Sequence, residues 1–272
     1  MTLHIAVCAK QVPDPEAPPS SFQVDEGAMR VVPTAAAPPV INGFDMQAAE
    51  AALRIRDSAA AGEVEITVLS VGTGFSMDAM RQALAVGADR LALVDDAGAA
   101  ELDGMATARV LAAALKKMGP YRLVLCGRQA SDWDQGYVPL ALAELLRVPC
   151  VSFARKVEWT QGQDGGRLRV ERALPGGYQV VETPLPAVVS VSNELGEPRF
   201  PTLRGIMEAS KKAPVALTLA DLDVNAADLA PGLLLRRLYV PESERRCELI
   251  EGVDERDAGR KLASKLREAE LI

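Results

Sequence analysis

The chain has 272 residues, 49% hydrophobic and 25% charged, a globular balance that excludes disorder along most of its length. At roughly 150 residues per domain, that length suggests about two units, or one α/β domain with appendages. Lys and Arg total 30 against 37 Asp and Glu, a formal charge of −7 that disfavours sequence-independent binding to nucleic acid. With 2 Trp, 4 Tyr and 5 Phe, the core has to be built from Ala, Val and Leu. One histidine, His4, and four cysteines without a C-x-x-C pair (Cys8, Cys126, Cys150, Cys247) speak against zinc and against His-based acid–base or triad chemistry. The opening MTLHIAVCAK has no basic segment leading into a long apolar run, so no signal peptide is expected, and no stretch reaches the ~18 apolar residues of a membrane span. The expected setting is the reducing cytoplasm.

In chain order, Leu3–Cys8 is a first apolar strand. A long segment punctuated by Pro13, Pro15, Pro18, Pro19, Pro33, Pro38 and Pro39 follows, featureless except for a small hairpin predicted over Val24–Val32. Helical patterns at Asp45–Ala61, Ser76–Val86, Asp103–Met118 and Val138–Leu145 then alternate with strands at Val64–Ser70, Leu91–Val94, Arg122–Cys126 and Cys150–Phe153. Such alternation predicts a parallel sheet with helices on both faces, and continuous apolar strands fit a sheet covered on both sides. Beyond residue 150 the runs Ser152–Trp159, Arg167–Leu174 and Tyr178–Thr183 are separated by 163–166 (QDGG) and 175–177 (PGG), which are hairpin signals. Leu185–Val191 is a further strand, 193–212 a loop entering a short helix, and 213–272 a linker ending in a charged helix at Asp254–Ala269.

Four motifs bear on chemistry. Gly72-Thr73-Gly74 sits between a strand and a helix opened by Ser76; it is either a generic turn or a nucleotide contact, since the third glycine of the dinucleotide fingerprint is missing. The run from Cys126 to Gly136 begins at a strand end, where ligands of open α/β sheets bind, and its Gln, Ser, two Asp and glycine backbone suit a ribose, an adenine edge or a phosphate. A solvated loop is the alternative, and two carboxylates on one loop are a weak metal signal. Asn42-Gly43-Phe44-Asp45 opens the first helix, with Asp45 the expected N-cap and Phe44 either in the core or flanking a flat ligand. The stretch from Pro198 to Met207, with Lys211-Lys212, mixes apolar and basic residues like a surface for an acidic partner; alternatively Leu203 and Ile206 pack inward at i, i+3.

These motifs, in this order, resemble the β subunit of electron-transfer flavoproteins. The resemblance is carried by Ile5 to Val12, Asn42 to Asp45, Ala83 to Arg90, Gly127 to Ala130, Leu185 to Val189, and Glu197 to Leu203 through Lys212. It implies a Rossmann-like α/β domain for adenine nucleotide over residues 1–230, with antiparallel hairpin strands and a docking loop at 193–212. Residues 231–272 would form a C-terminal arm and helix packing on an α subunit. It further implies an electron carrier subunit, not an enzyme, in a heterodimer whose FAD is held mainly by the α subunit, with AMP in this chain. Electrons would come from flavin dehydrogenases of the acyl-CoA dehydrogenase type and pass to a quinone oxidoreductase or another acceptor, with no direct insertion into a membrane.

By matching positions the resemblance implies cofactor contacts at Cys8, Asn42, Gly43, Phe44, Asp45, Val71, Gly127, Arg128, Gln129, Ala130, Ser131, Asp132, Trp133, Asp134, Gln135, Gly136, Tyr137 and Val138, with Phe44 near the flavin. Leu203 would anchor the donor, helped by Ile206 and Met207 and by the charges of Arg199, Arg204, Lys211 and Lys212. In the docking helix, Ile206 and Met207 are also the positions free to face the domain body. Trp133 and Tyr137 crowd the nucleotide loop, so one AMP-sized ligand or none is expected. Two alternatives stand beside this reading: an electron-bifurcating, NADH-linked flavoprotein with a second FAD, and a stand-alone adenine-nucleotide sensor resembling universal stress proteins.

Overall fold

The computed structural model describes residues 2–162, 166–241 and 247–272. The chain divides into two compact units, Met1–Leu238 and Tyr239–Ile272.

The first unit opens with β1 (Leu3–Cys8), β2 (Gln11–Pro13), β3 (Gln23–Asp25), β4 (Arg30–Val32), β5 (Pro39–Ile41) and α1 (Gly43–Ser58). It continues through β6 (Val64–Gly72), α2 (Met77–Ala85), β7 (Arg90–Asp95), α3 (Gly104–Met118), β8 (Leu123–Gly127) and α4 (Val138–Leu146). It ends with β9 (Cys150–Thr160), β10 (Arg167–Leu174), β11 (Gly177–Pro184), β12 (Ala187–Val191), α5 (Leu203–Lys211) and β13 (Val215–Leu217). Nine strands form one sheet in the order β11-β10-β9-β12-β8-β1-β6-β7-β13. The pairs from β9 through β12, β8, β1, β6 and β7 to β13 are parallel, and only β9-β10-β11 is an antiparallel meander.

Strand sequence explains the burial. In β1, Leu3, Ile5 and Val7 point to one face, with the small side chains of α1 and with α2, while Ala6 and Cys8 point to the other, with α3 and α4. Every residue of β8 and β12 is buried, as strands covered on both faces require. The expected parallel α/β architecture with added hairpin strands is therefore what the chain adopts.

Three local features depart from expectation. The Pro-rich segment contains two small ladders, β2 with β5 and β3 with β4, and only the second was anticipated. The runs at Cys150–Phe153 and Ser152–Trp159 are one strand, β9, kinked at Phe153, whose φ is 58°. In the segment expected as a linker, Val215–Leu217 pairs with β7 and lengthens the sheet. The turn predicted over 163–166 lies, through residues 163–165, outside the described residues. The first unit also reaches past residue 230: the Asp103 carboxylate, which caps α3, accepts the N–H groups of Gly232 (2.7 Å) and Leu233 (3.2 Å).

The second unit holds α6 (Glu255–Glu268), capped by Asp254, whose carboxylate accepts the Asp257 N–H at 2.7 Å. No residue of α6 is buried, and Leu249, Val253, Leu271 and Ile272 are exposed. Among the described residues, no helix is long and apolar enough to cross a membrane, and no group of three or more His, Cys, Asp or Glu could hold a metal ion.

Candidate functional site

The sheet reverses its direction of growth at β1. The chain moves from β1 outward to β6 and β7, then returns to place β8 on the other side of β1. At such a switch point the loops leaving the carboxyl ends of the two central strands part and leave a crevice.

Asp45 is latched across that crevice. One carboxylate oxygen accepts the Lys10 N–H at 2.8 Å and the other the Gly127 N–H at 2.9 Å, joining the ends of β1 and β8. The N-cap of α1 is Asn42, not Asp45; Asp45 lies inside the first turn, where its side chain turns toward the sheet. Burial is the largest influence on this carboxyl and lifts its pKa from 3.8 to about 6 against the opposing pull of its hydrogen bonds and of Lys10. Gly127 is required sterically: a Cβ there would stand 2.4 Å from Asp45 Oδ1 and 2.7 Å from the Phe44 backbone.

Asn42 is fully buried and holds the loop after β8. Its amide nitrogen donates to the Gln129 carbonyl at 2.8 Å, and its oxygen accepts the Ser131 N–H at 3.3 Å. The loop is cross-linked again where the Gln129 amide donates to Asp134 (2.8 Å) and Lys10 Nζ meets Asp132 (2.5 Å). Asn42 and Asp45, two expected nucleotide contacts, thus spend polar groups on backbone, and the side chain of a third, Gln129, is bonded to those of Asp134 and Arg128. The Ser131 hydroxyl is buried without a hydrogen-bond partner. Gly136 adopts φ 68°, and the Tyr137 phenol packs over Gly104 at the start of α3, so close that a Cβ there would lie 2.7 Å from its oxygen. Val71 and Val138 pack half-buried on the α3 face, Gly43 and Gln135 are exposed, Ala130 is half-buried, and Trp133 is half exposed. Cys8 and Cys126 are buried register partners; the Cys8 thiol, then burial, push the Cys126 thiol well above its ordinary range. That leaves Cys126 unreactive.

Arg128 leaves this loop. Its guanidinium stands 5.5 Å from the centre of the Phe44 ring and 5.5 Å from that of Phe153. Sequence reasoning missed Phe153; a positive φ at a β-bulge carries no local sequence signal when the residue is not glycine.

The stretch expected to dock a donor is anchored more firmly than its sequence suggests. Arg199 binds the buried Glu50 through its Nε (2.7 Å) and a terminal nitrogen (3.2 Å), and Asp57 at 2.8 Å. These carboxylates raise the guanidinium pKa, and the pairs tie Arg199 and its loop to α1. Arg204 is paired with Glu208 and Lys212 donates to the Ala88 carbonyl, while Lys211 remains exposed. The basic surface is correspondingly smaller than the sequence implied. Gly205 packs on the end of α2, where a Cβ would stand 2.3 Å from the Ala85 carbonyl oxygen. In α5 only Ala209 is buried: Phe200, just before the helix, is 87% exposed, Leu203 76%, Met207 57% and Ile206 49%. Leu203 and Ile206 do not pack inward, and neither Ile206 nor Met207 is buried against the domain body, because Gly205 and Ala209 make the close contact.

Fold and crevice together define a doubly covered, parallel-sheet α/β protein of the Rossmann-like class. A family model described as "Electron transfer flavoprotein domain" matches residues 30–222. The electron transfer flavoprotein subunit beta of Thermoanaerobacterium thermosaccharolyticum is 35% identical over 275 residues, covering 99% of this chain and 100% of that protein. The subunit beta of Megasphaera elsdenii is 35% identical over 250 residues, 88% of each chain. The caffeyl-CoA reductase-Etf complex subunit CarD of Acetobacterium woodii is 31% identical over 279 residues, 99% of this chain and 100% of that protein. This chain belongs to the electron transfer flavoprotein family and matches its beta subunits.

Proposed function

We propose that this chain is the β subunit of a heterodimer in which an α subunit holds most of the FAD, and that the complex carries electrons from a flavin dehydrogenase to a quinone oxidoreductase or another acceptor. The observation that carries the docking half of this reading is the apolar face of α5. Phe200, Leu203, Ile206 and Met207 stand exposed on a segment anchored by Arg199, Thr202 and Gly205. A leucine on a rigid segment loses little entropy on binding and serves as a hot spot in a partner's pocket. The relative from Acetobacterium woodii, whose name places it in a complex with caffeyl-CoA reductase, supports a redox partner that acts on a CoA thioester. FAD supplies the redox chemistry when bound; this chain's residues orient it and shape its electrostatics. For adenine nucleotide the donors are the buried Ser131 hydroxyl and backbone N–H groups of the loop after β8, beside the α3 and α4 N-termini. The N–H groups of Gly127, Arg128, Ser131 and Asp134 are not among them, being bonded within the chain. Those features fit an AMP-sized group, and Trp133 narrows the space for a second FAD.

The test is release and quantification of nucleotides from the heterodimer purified from cells expressing both chains. One FAD and up to one AMP per heterodimer is the expected result. Two FAD would replace this reading with the bifurcating one, and a flavin-free homodimer of this chain would replace it with the sensor.

A further inference from the structure

β9 outruns its parallel neighbour. Its pairing with β12 ends at Ala154, whose carbonyl also accepts the Ser192 N–H at 2.9 Å, yet β9 continues to Thr160 with β10 along its other edge. Among the described residues, no strand pairs with the β12 side of β9 beyond Ala154. A groove of about 500 Å³ lies there. Ala51, Arg54 and Ser58 line it from one face of α1, and the unbroken run Lys156–Thr160 lines it from β9. Successive side chains of a strand point to opposite faces, so an unbroken run lines a groove only where the backbone edge of the strand is the wall. Leu195, whose carbonyl accepts from Arg54 at 2.9 Å, borders the groove from the turn after β12. No residue of the loop after β8 or of α5 lines it, so this surface is separate from both.

The lining carries three cations, Arg54, Lys156 and Arg169, against one carboxylate, Glu158, which Lys156 (2.8 Å) and Arg169 (2.9 Å) share. Charges of this kind guard flat, exposed sheet edges against a second sheet. This edge is walled by α1, which already excludes a second sheet and admits a single extended chain. Val157 lies in the core covered by α1 and Trp159 packs against that core, whereas Lys156, Glu158 and Arg169 stand on the opposite face of the sheet. A strand added beside β9 would alternate in the same way, with one set of side chains toward Ala51 and Leu195 and the other toward Lys156 and Arg169. We propose that this groove takes an extended segment, alternating apolar and acidic residues, from a protein other than the α subunit, as a strand added to β9. Main-chain hydrogen bonds give such a segment its affinity, and the alternating side chains give it specificity. The inference goes beyond the reading in Proposed function and rests on the groove of this chain alone.

The experiment uses the protein purified from cells expressing both chains, as wild type and as a Lys156→Glu, Arg169→Glu double variant. The probe is a fluorescein-labelled peptide that alternates valine and glutamate and is as long as Lys156–Thr160. Two control peptides alternate valine and lysine, or carry N-methyl groups along the backbone of the glutamate peptide. Fluorescence anisotropy, amide exchange over Lys156–Thr160 and the melting temperature are read. The glutamate peptide should bind saturably and slow exchange over that run. The N-methylated peptide should bind about tenfold more weakly or worse, the worth of one or two net hydrogen bonds, and the lysine peptide should not bind. The double variant should melt like wild type and bind the glutamate peptide about 2- to 30-fold more weakly, as two exposed ion pairs predict. If that variant melts early, Lys156→Gln with Arg169→Gln replaces it, and a loss of affinity is again expected. No binding to the wild-type protein overturns the proposal, and so does exchange over Lys156–Thr160 that is already slow before peptide is added, which would put the α subunit in the groove. Equal binding of the N-methylated peptide, or unchanged affinity in the variants, overturns it as well.

Discussion

Asp45 shows how one buried side chain can fix a crevice and carry a pH signature. Its pKa of about 6 in the folded chain lies above the 3.8 of the free group. Below the lower value it is protonated in both states; between the two values the unfolded chain ionises first, so stability is lost as pH rises from about 4 to about 6, by an amount on the order of 2–3 kcal/mol. Asp45→Asn should flatten that slope in urea titrations. It should also speed amide exchange at Lys10 or Gly127, because an Asn side chain accepts only one of the two backbone N–H groups. Two glycines nearby give opposite expectations. Gly127→Ala forces a Cβ into Asp45 and Phe44 and should cost about 1–3 kcal/mol or more, whereas Gly43, with nothing within 4 Å of its would-be Cβ, should accept Ala with a change below about 1 kcal/mol.

At the scale of the element, α5 and its approach loop separate anchoring residues from exposed apolar ones. Arg199→Ala would leave the buried Glu50 with Arg54 as its remaining cation, at 2.8 Å, and should cost roughly 1–3 kcal/mol in a thermal or urea melt. Glu50 is desolvated, yet Arg199 and Arg54 hold its carboxyl below the ordinary 4.5, so this contribution is present above that pH and fades as pH falls through the folded value. Leu203→Ala should leave the melt nearly unchanged, because Leu203 is exposed, while weakening donor-dependent flavin reduction about 10- to 150-fold. Unchanged donor kinetics in a well-folded Leu203→Ala heterodimer would remove Leu203 from the docking surface. A loss of several kcal/mol in the melt would instead make it a core residue.

At the scale of the whole molecule, the second unit has an exposed helix and apolar residues, including Leu249 and Val253, that it does not bury. A segment of that kind gains stability by covering a partner chain. A chain ended after Leu238 should keep a cooperative melt, since the nine-stranded sheet and both its cores lie within the first unit, but should no longer form a 1:1 complex with the α subunit in size-exclusion chromatography.

The parallel sheet with helices on both faces was legible because its signals are local. Continuous apolar strands such as LVLCG and AVVSV, and alanine-rich helices between them, state their burial in their own composition. The loop after β8 and the stretch around α5 were legible as motifs, and the family as their order along the chain. Only the tertiary structure decided what each motif's side chains do. The crossover from β7 back to β8 brings Gly127 and Gln129 within hydrogen-bond reach of Asp45 and Asn42, and Arg199 meets Glu50 from 149 residues away, pairings that no local motif states. Val215–Leu217 is too short to announce a strand and exists because the edge of β7 offers it a ladder. Phe153 joined Phe44 and Arg128 through a bulge set by β12, its neighbour in space. Local sequence carries propensity and periodicity, whereas these partnerships depend on which distant backbone groups the fold leaves unsatisfied.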